Sequence, residues 1–126
     1  MNHARGVFEV KLVPQGTGDT TPGRMSIDKQ FYGDLQGTSK GEMLAAMTTV
    51  KGSAGYVAME QVDGALQGLS GTFVLQHSGT MTRGVQQLAI SVVPDSGTGQ
   101  LAGLAGTMTI AIADGKHSYD FEYAIG

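Results

Sequence analysis

The feature that most constrains the fold is a glycine motif that occurs three times. Each copy has Gly-x-Leu-x-Gly, then a further glycine and a strand-like run: GDLQGTSKGEML from Gly33, GALQGLSGTFVL from Gly64 and GQLAGLAGTMTI from Gly99. Glycine adopts positive φ without a Cβ clash, so it permits the sharp turns at which antiparallel strands reverse. In each copy an apolar residue follows two positions after the last glycine: Met43, Phe73 and Met108. We interpret this GxLxG motif as a repeated hairpin corner.

Alternation of apolar and polar residues dominates the rest of the chain, and no capped run has the i, i+3, i+4, i+7 spacing of an amphipathic helix. The best helical candidate, 42–50, also fits a strand. Residues 14–23 form the one long polar loop, and Asp114-Gly115 is a dipeptide typical of a type I′ hairpin. Glycine-bearing turns separate eight strand candidates: 5–13, 24–34, 42–50, 53–63, 71–82, 85–93, 105–113 and 117–125. Such strands form a sandwich or a closed barrel, and the repeated corner favours closure, which removes exposed edges.

Composition limits the partners that we expect. The chain has 126 residues, which predicts one β-barrel domain over 1–126, and a net charge of −3 with no Lys/Arg cluster, which argues against nucleic acid. It has no cysteine, so disulfides, thiolate nucleophiles and zinc–thiolate sites are excluded. It contains neither a signal-peptide core nor an apolar run of about 18 residues, so we expect no membrane partner and a cytoplasmic location. No sequence feature calls for a cofactor.

Three segments resemble the bacterial domain-of-unknown-function 3224 (DUF3224) family: RMSIDKQFYGDLQGTSKGEMLAA, FVLQHSGTMTRG and SGTGQLAGLAGTMTI. The resemblance covers essentially the whole chain. It implies an all-β, calycin-like barrel of eight antiparallel strands, closed as in allene oxide cyclase, which agrees with the strand count. It implies no established activity, although the cyclases of this barrel type enclose an apolar, reactive small molecule and guide its ring closure. No catalytic motif of theirs matches residues of this chain.

Polar residues in an apolar strand phase are the candidates for chemistry, because side chains alternate across a strand. Lys29 shares a face with Met25, Ile27 and Phe31, His77 with Phe73 and Leu75, and Glu60 with Tyr56, Ala58 and Val62. These phases predict a Lys29/Glu60/His77 group inside the barrel. A carboxylate or imidazole in such a place can act as a general acid or base. The alternative is that Lys29 and Glu60 lie outside or form a structural pair, and that His77 caps a turn.

An eight-stranded barrel is filled by its own side chains or holds one small ligand. We expect a ligand to contact inward residues of several strands: Met25, Phe31, Tyr56, Phe73, Leu75, Met108 and Tyr119. No metal site is expected, because His3, His77 and His117 lack ligand spacing. Three functions remain open: an isomerase or cyclase acting on an apolar small molecule, a non-catalytic carrier or sensor, and a structural homo-oligomer with a packed barrel.

Overall fold

Eight antiparallel strands follow one another around a closed barrel. The computed structural model describes residues 1–15 and 22–126, so the predicted loop at 14–23 lies largely outside the described residues. The strands are β1 (Asn2–Gln15), β2 (Gly23–Gly33), β3 (Leu35–Met47), β4 (Ala54–Leu66), β5 (Leu69–Thr82), β6 (Val85–Val92), β7 (Leu104–Ala113) and β8 (Lys116–Ile125). A 3-10 turn, Gly99–Leu101, lies between β6 and β7. The predicted all-β closed barrel is therefore confirmed.

Each strand pairs with its sequence neighbour, and β1 pairs with β8 to close the barrel. Seven of the eight ladders are long, but β6 and β7 pair only at Ile90–Met108 and Ser91–Thr107. Residues 85–89 of β6 therefore have no backbone partner on β7. The barrel has one short seam, which reaches the end of the molecule that carries the β5–β6 and β7–β8 turns.

All three copies of the GxLxG motif reverse the chain at the same end of the barrel. The reversal falls at Gly33 in the first copy, at Gln67–Gly68 in the second and around the 3-10 turn in the third. The leucine of each copy is completely buried at that end: Leu35, Leu66 and Leu101. The motif therefore provides a chain reversal, as predicted. It also provides a leucine that plugs this end of the barrel, which was not predicted.

The later glycines of the first copy lie inside β3 and not in a turn. Gly37 pairs with Gly64 of β4, and a Cβ on Gly37 would lie 2.2 Å from the carbonyl oxygen of Asp63. The two strands approach too closely there for any side chain. This explains why the prediction started β3 at residue 42 when it begins at Leu35: a glycine-rich strand has too few side chains to show alternation. The helical alternative at 42–50 is wrong, because β3 extends to Met47.

The motif end of the barrel is filled by aromatic and aliphatic side chains. Phe73 and Phe121 stack with ring centroids 5.9 Å apart, and Phe31 meets Tyr119 edge-on at 5.7 Å. All four of these side chains are almost completely buried. The other half of the interior, towards the opposite end, is not filled by side chains and contains a cavity.

Candidate functional site

A cavity of about 420 Å³ occupies the half of the barrel opposite the GxLxG motifs. Its walls are largely apolar and come from strand ends on several sides of the barrel, among them Leu12, Ile27, Met43, Met81 and Ile110. Its rim includes β6 and β7 residues that flank the short seam, among them Leu88 and Ile112. An apolar, open-ended cavity of this volume is typical of small-molecule sites, which usually measure about 300–1,000 Å³.

The predicted group of Lys29, Glu60 and His77 converges beneath this cavity. Lys29 on β2 donates from Nζ to Glu60 Oε1 at 2.8 Å, and His77 Nε2 on β5 lies 2.6 Å from the same oxygen. The Glu60 side chain is fully buried, whereas Lys29 and His77 both line the cavity. The strand phases therefore located the group correctly, and the alternative with Lys29 and Glu60 on the outer face is wrong.

One further side chain completes the cluster. Ser39 of β3 donates from Oγ to Glu60 Oε2 at 2.5 Å. Ser39 is not among the residues predicted from the sequence, although it lies opposite Lys29 in the β2–β3 pair and so shares the inner face. In the described part of the chain, no buried side-chain nitrogen or oxygen lacks a hydrogen-bond partner.

The cluster keeps Glu60 ionised. Burial alone raises the pKa of a carboxyl group, but hydrogen bonds from His77, Lys29 and Ser39 and the Lys29 charge outweigh it. They lower the pKa of Glu60 from 4.5 to about 2. The Lys29 ammonium also lies 4.9 Å from the centre of the Phe8 ring, a favourable cation–π distance.

Tyr56 is the one member of the predicted ligand-binding set that lines the cavity. Its hydroxyl lies 3.4 Å from His77 Nδ1, which extends the cluster towards the cavity. Burial and the neighbouring Glu60 charge raise the pKa of the Tyr56 phenol. Val57 and Met59, whose apolar side chains left the phase of β4 ambiguous, face outwards and are about half exposed.

The other predicted ligand-binding residues lie elsewhere. Met25 is half-buried on β2 and does not line the cavity, and the remaining five belong to the packed half: Phe31, Phe73, Leu75, Met108 and Tyr119. The Tyr119 hydroxyl accepts from the backbone N–H of Leu35 at 2.9 Å and lies 2.9 Å from the carbonyl oxygen of Tyr32, which it can donate to. Alternation identified their inward direction, but not which half of the barrel is filled.

Phe8 and His117 are two of the cavity residues that the sequence did not indicate as ligand-binding. Phe8 and His117 meet across the β1–β8 pair with ring centroids 5.2 Å apart, and both line the cavity. The run Phe8, Val10, Leu12 alternates along β1 and would have placed Phe8 inside. Among the residues described, no three His, Asp or Glu side chains come together as metal ligands.

The fold and site define a class: a closed up-and-down barrel of eight strands, plugged at one end and hollow at the other, with a buried Lys–Glu–His cluster between the two halves. The model of a family described as "protein of unknown function (DUF3224)" matches residues 4–123. The chain belongs to the DUF3224 family.

A solved structure agrees with this membership. A DUF3224-family protein of unknown function from Shewanella oneidensis MR-1, determined by crystallography, is 53% identical and superposes with a TM-score of 0.96, covering 100% of this chain and 98% of its own. No curated protein matches the sequence. Within the residues that the structure describes, no helix has the length and apolar character needed to cross a bilayer.

Proposed function

We propose that this barrel binds an apolar small molecule in its hollow half, with the polar group of that molecule directed at the Lys29/Glu60/His77 cluster. The observation that carries the proposal is the position of the cluster: two of its three members border a cavity whose other walls are largely apolar. Such a site combines apolar area for affinity with a few fixed polar groups for orientation.

The charge of the cluster limits the ligand. The Lys29 ammonium is neutralised by the Glu60 carboxylate at 2.8 Å, so the floor of the cavity has no uncompensated charge that a strongly ionic ligand would match. A neutral molecule with one or two hydrogen-bonding groups fits this environment best, because an unpaired ion would lose its hydration without a partner.

We further propose that, if the bound molecule reacts, His77 transfers the proton. A carboxylate whose pKa is about 2 is a weak base at neutral pH, so Glu60 serves to orient the imidazole and to stabilise its protonated form. Lys29 lies where it can polarise a ligand oxygen. These three roles suit an isomerisation or cyclisation that proceeds by proton transfer.

Binding is tested first. Native mass spectrometry of freshly purified protein should show a bound small molecule. Apolar fluorescent probes should bind with a stoichiometry of one probe molecule per chain. Ala45 lines the cavity, while its neighbour Leu44 is 43% exposed on the outer face. Ala45→Phe should abolish probe binding and Leu44→Phe should not. Equal binding by the two variants would contradict the location of the site.

Catalysis is tested separately with lipophilic epoxides and polyenes as substrates. Turnover that falls in His77→Ala and Glu60→Gln, with binding retained, supports an isomerase or cyclase. Binding with no turnover of any compound supports the carrier or sensor. Turnover that is unchanged in both variants would refute the assignment of these residues.

A homo-oligomer is a second candidate, favoured by the outer face of β3 and β4. Leu44 and Val57 are paired there, and Met59 follows along β4; all three are at least two-fifths exposed. We expect a second copy of the chain to cover this patch. Light scattering should then find a dimer that Val57→Lys dissociates, while Val7→Lys, a similarly exposed position on β1, has no effect. A monomeric wild-type protein would exclude this candidate.

A further inference from the structure

The hydrogen bonds of the cluster define the tautomer of His77. An ionised Glu60 carboxylate can only accept, so His77 Nε2, 2.6 Å from Oε1, carries a proton and donates it. In the neutral imidazole the other nitrogen, Nδ1, is then an acceptor. The Tyr56 hydroxyl, at 3.4 Å, is the donor that Nδ1 faces. The Tyr56 proton therefore points at His77, and the lone pairs of its oxygen remain for a partner in the cavity.

A glycine holds the Tyr56 ring in this place. Gly79 of β5 lies directly opposite Tyr56 in the β4–β5 ladder. A Cβ on Gly79 would lie 2.5 Å from Cε1 of the ring, much closer than carbon atoms approach. The Tyr56 ring thus packs directly against the backbone of Gly79, and any side chain at position 79 would displace the ring from His77. Gly55, next to Tyr56, is different, because a Cβ there meets only one atom, at 3.7 Å.

We propose that Tyr56 is the residue that recognises the polar group of the ligand, and that this group is a hydroxyl, as in an apolar alcohol or enol. The inference rests on the proposed function and deepens it by naming the ligand chemistry. The ligand hydroxyl donates to the Tyr56 oxygen, Tyr56 donates to His77 Nδ1, and His77 donates to Glu60. A ligand that offers only an acceptor, such as an ether, finds no donor on Tyr56 in this arrangement.

The same chain provides a route for a proton. As the ligand O–H bond breaks, its proton moves to the Tyr56 oxygen while the Tyr56 proton moves to His77 Nδ1. The imidazolium formed remains hydrogen-bonded to the Glu60 carboxylate, and the oxygen left on the ligand carries the negative charge, in the cavity that the Lys29 ammonium also lines. The reverse transfer returns the proton. No oxidant or other reactant is needed, so the step is compatible with the isomerisation proposed above.

The test uses two probes of nearly equal size, 2-naphthol and 2-methoxynaphthalene, which differ in the hydroxyl donor. One hydrogen bond contributes about 0.5–1.5 kcal/mol, so wild-type protein should bind 2-naphthol about two- to thirteenfold more tightly. The Tyr56→Phe protein should lose the preference for 2-naphthol and should still bind 2-methoxynaphthalene. Gly79→Ala should also remove it, because the ring is displaced, whereas Gly55→Ala should retain it.

The outcomes separate the two proposals. Binding of both probes by wild-type protein without a preference, or a preference that persists in Tyr56→Phe, overturns the assignment of Tyr56 and leaves the binding site intact. If Gly79→Ala and Gly55→Ala lose the preference for 2-naphthol equally, the proposal that Gly79 positions the Tyr56 ring is overturned. Failure of wild-type protein to bind either probe contradicts the proposed function, and with it this inference.

Discussion

Replacement of Glu60 by glutamine should destabilise the protein far more than the loss of a surface ion pair. Glutamine keeps the size of the side chain but removes its charge, which leaves the Lys29 ammonium, 6% exposed, without a counter-charge. The pKa of Glu60 is about 2, compared with 4.5 for the free group, and at about 1.4 kcal/mol per pKa unit this difference corresponds to about 3 kcal/mol. Loss of one member of a buried ion pair typically costs about 3–5 kcal/mol, which agrees with this value.

The pH dependence gives the sharper test. Because the pKa of Glu60 is lower in the folded protein, the unfolded chain binds the proton more readily as pH falls. The stabilisation is therefore complete above about pH 4.5 and is lost as the pH falls to about 2. Urea unfolding of wild-type protein and of Glu60→Gln should give free energies about 3 kcal/mol apart at pH 7, and the gap should narrow in acid. Surface carboxylates titrate in both proteins, so their contribution cancels in the difference between the two free energies of unfolding.

Glu42→Gln is the matched control. Glu42 pairs with Arg24 at 3.3 Å on the outer face, where both side chains are more than half exposed, so its loss should cost less than about 1 kcal/mol. In Glu60→Gln, a second substitution, Lys29→Met, should recover part of the loss because it removes the unpaired charge. A Glu60→Gln protein within about 1 kcal/mol of wild type at pH 7, or a gap that does not change between pH 7 and pH 3, would refute the reasoning.

Three further predictions concern the barrel itself. Gly37→Ala should lower the melting temperature because its Cβ would meet the Asp63 carbonyl oxygen at 2.2 Å, a clash worth at least about 1–3 kcal/mol, and an unchanged melting temperature would contradict this. Leu66→Ala should cost about 2–5 kcal/mol in urea unfolding because the side chain is fully buried, whereas Leu44→Ala, at a half-exposed site, should cost much less; equal losses would show that the plug is unimportant. In hydrogen exchange, amides of 85–89 directed at β7 should exchange faster than those in the β4–β5 ladder, and equal protection would show that the seam is closed in solution.

Local pattern predicted most of the fold, because alternation with a period of two reports directly on which face of a strand is buried. Asp114 and Gly115 both have positive φ in the turn between β7 and β8, as their sequence predicts. The same period placed Lys29, Glu60 and His77 inside the barrel. It failed in β3, where glycine at 37 and 41 and serine at 39 leave this stretch of the inner face without an apolar side chain to alternate with the polar residues outside.

Depth along the barrel axis was not predictable in the same way. Phe73 and Tyr56 both face inwards, yet one lies in packed core and the other lines the cavity. Which half is filled depends on the volumes of side chains from all eight strands at one level, and on the three leucines that plug one end. The pattern of one strand does not show the total side-chain volume at a given level of the barrel. The sequence could therefore identify the inner face of each strand but not the extent of the cavity.

The position of the charged cluster argues for a role other than stability. A buried ion pair generally stabilises a protein no better than apolar side chains of the same volume, because each charge loses its hydration. The packed half of this barrel needs no such pair: apart from the satisfied hydroxyls of Tyr119 and Tyr123, it is built from apolar side chains. The cluster occurs where the core ends and the cavity begins, so its polar groups border the space in which we propose that a ligand binds. Lys29 and His77 there are held by Glu60 and remain in contact with the cavity, an arrangement that a purely structural pair would not require.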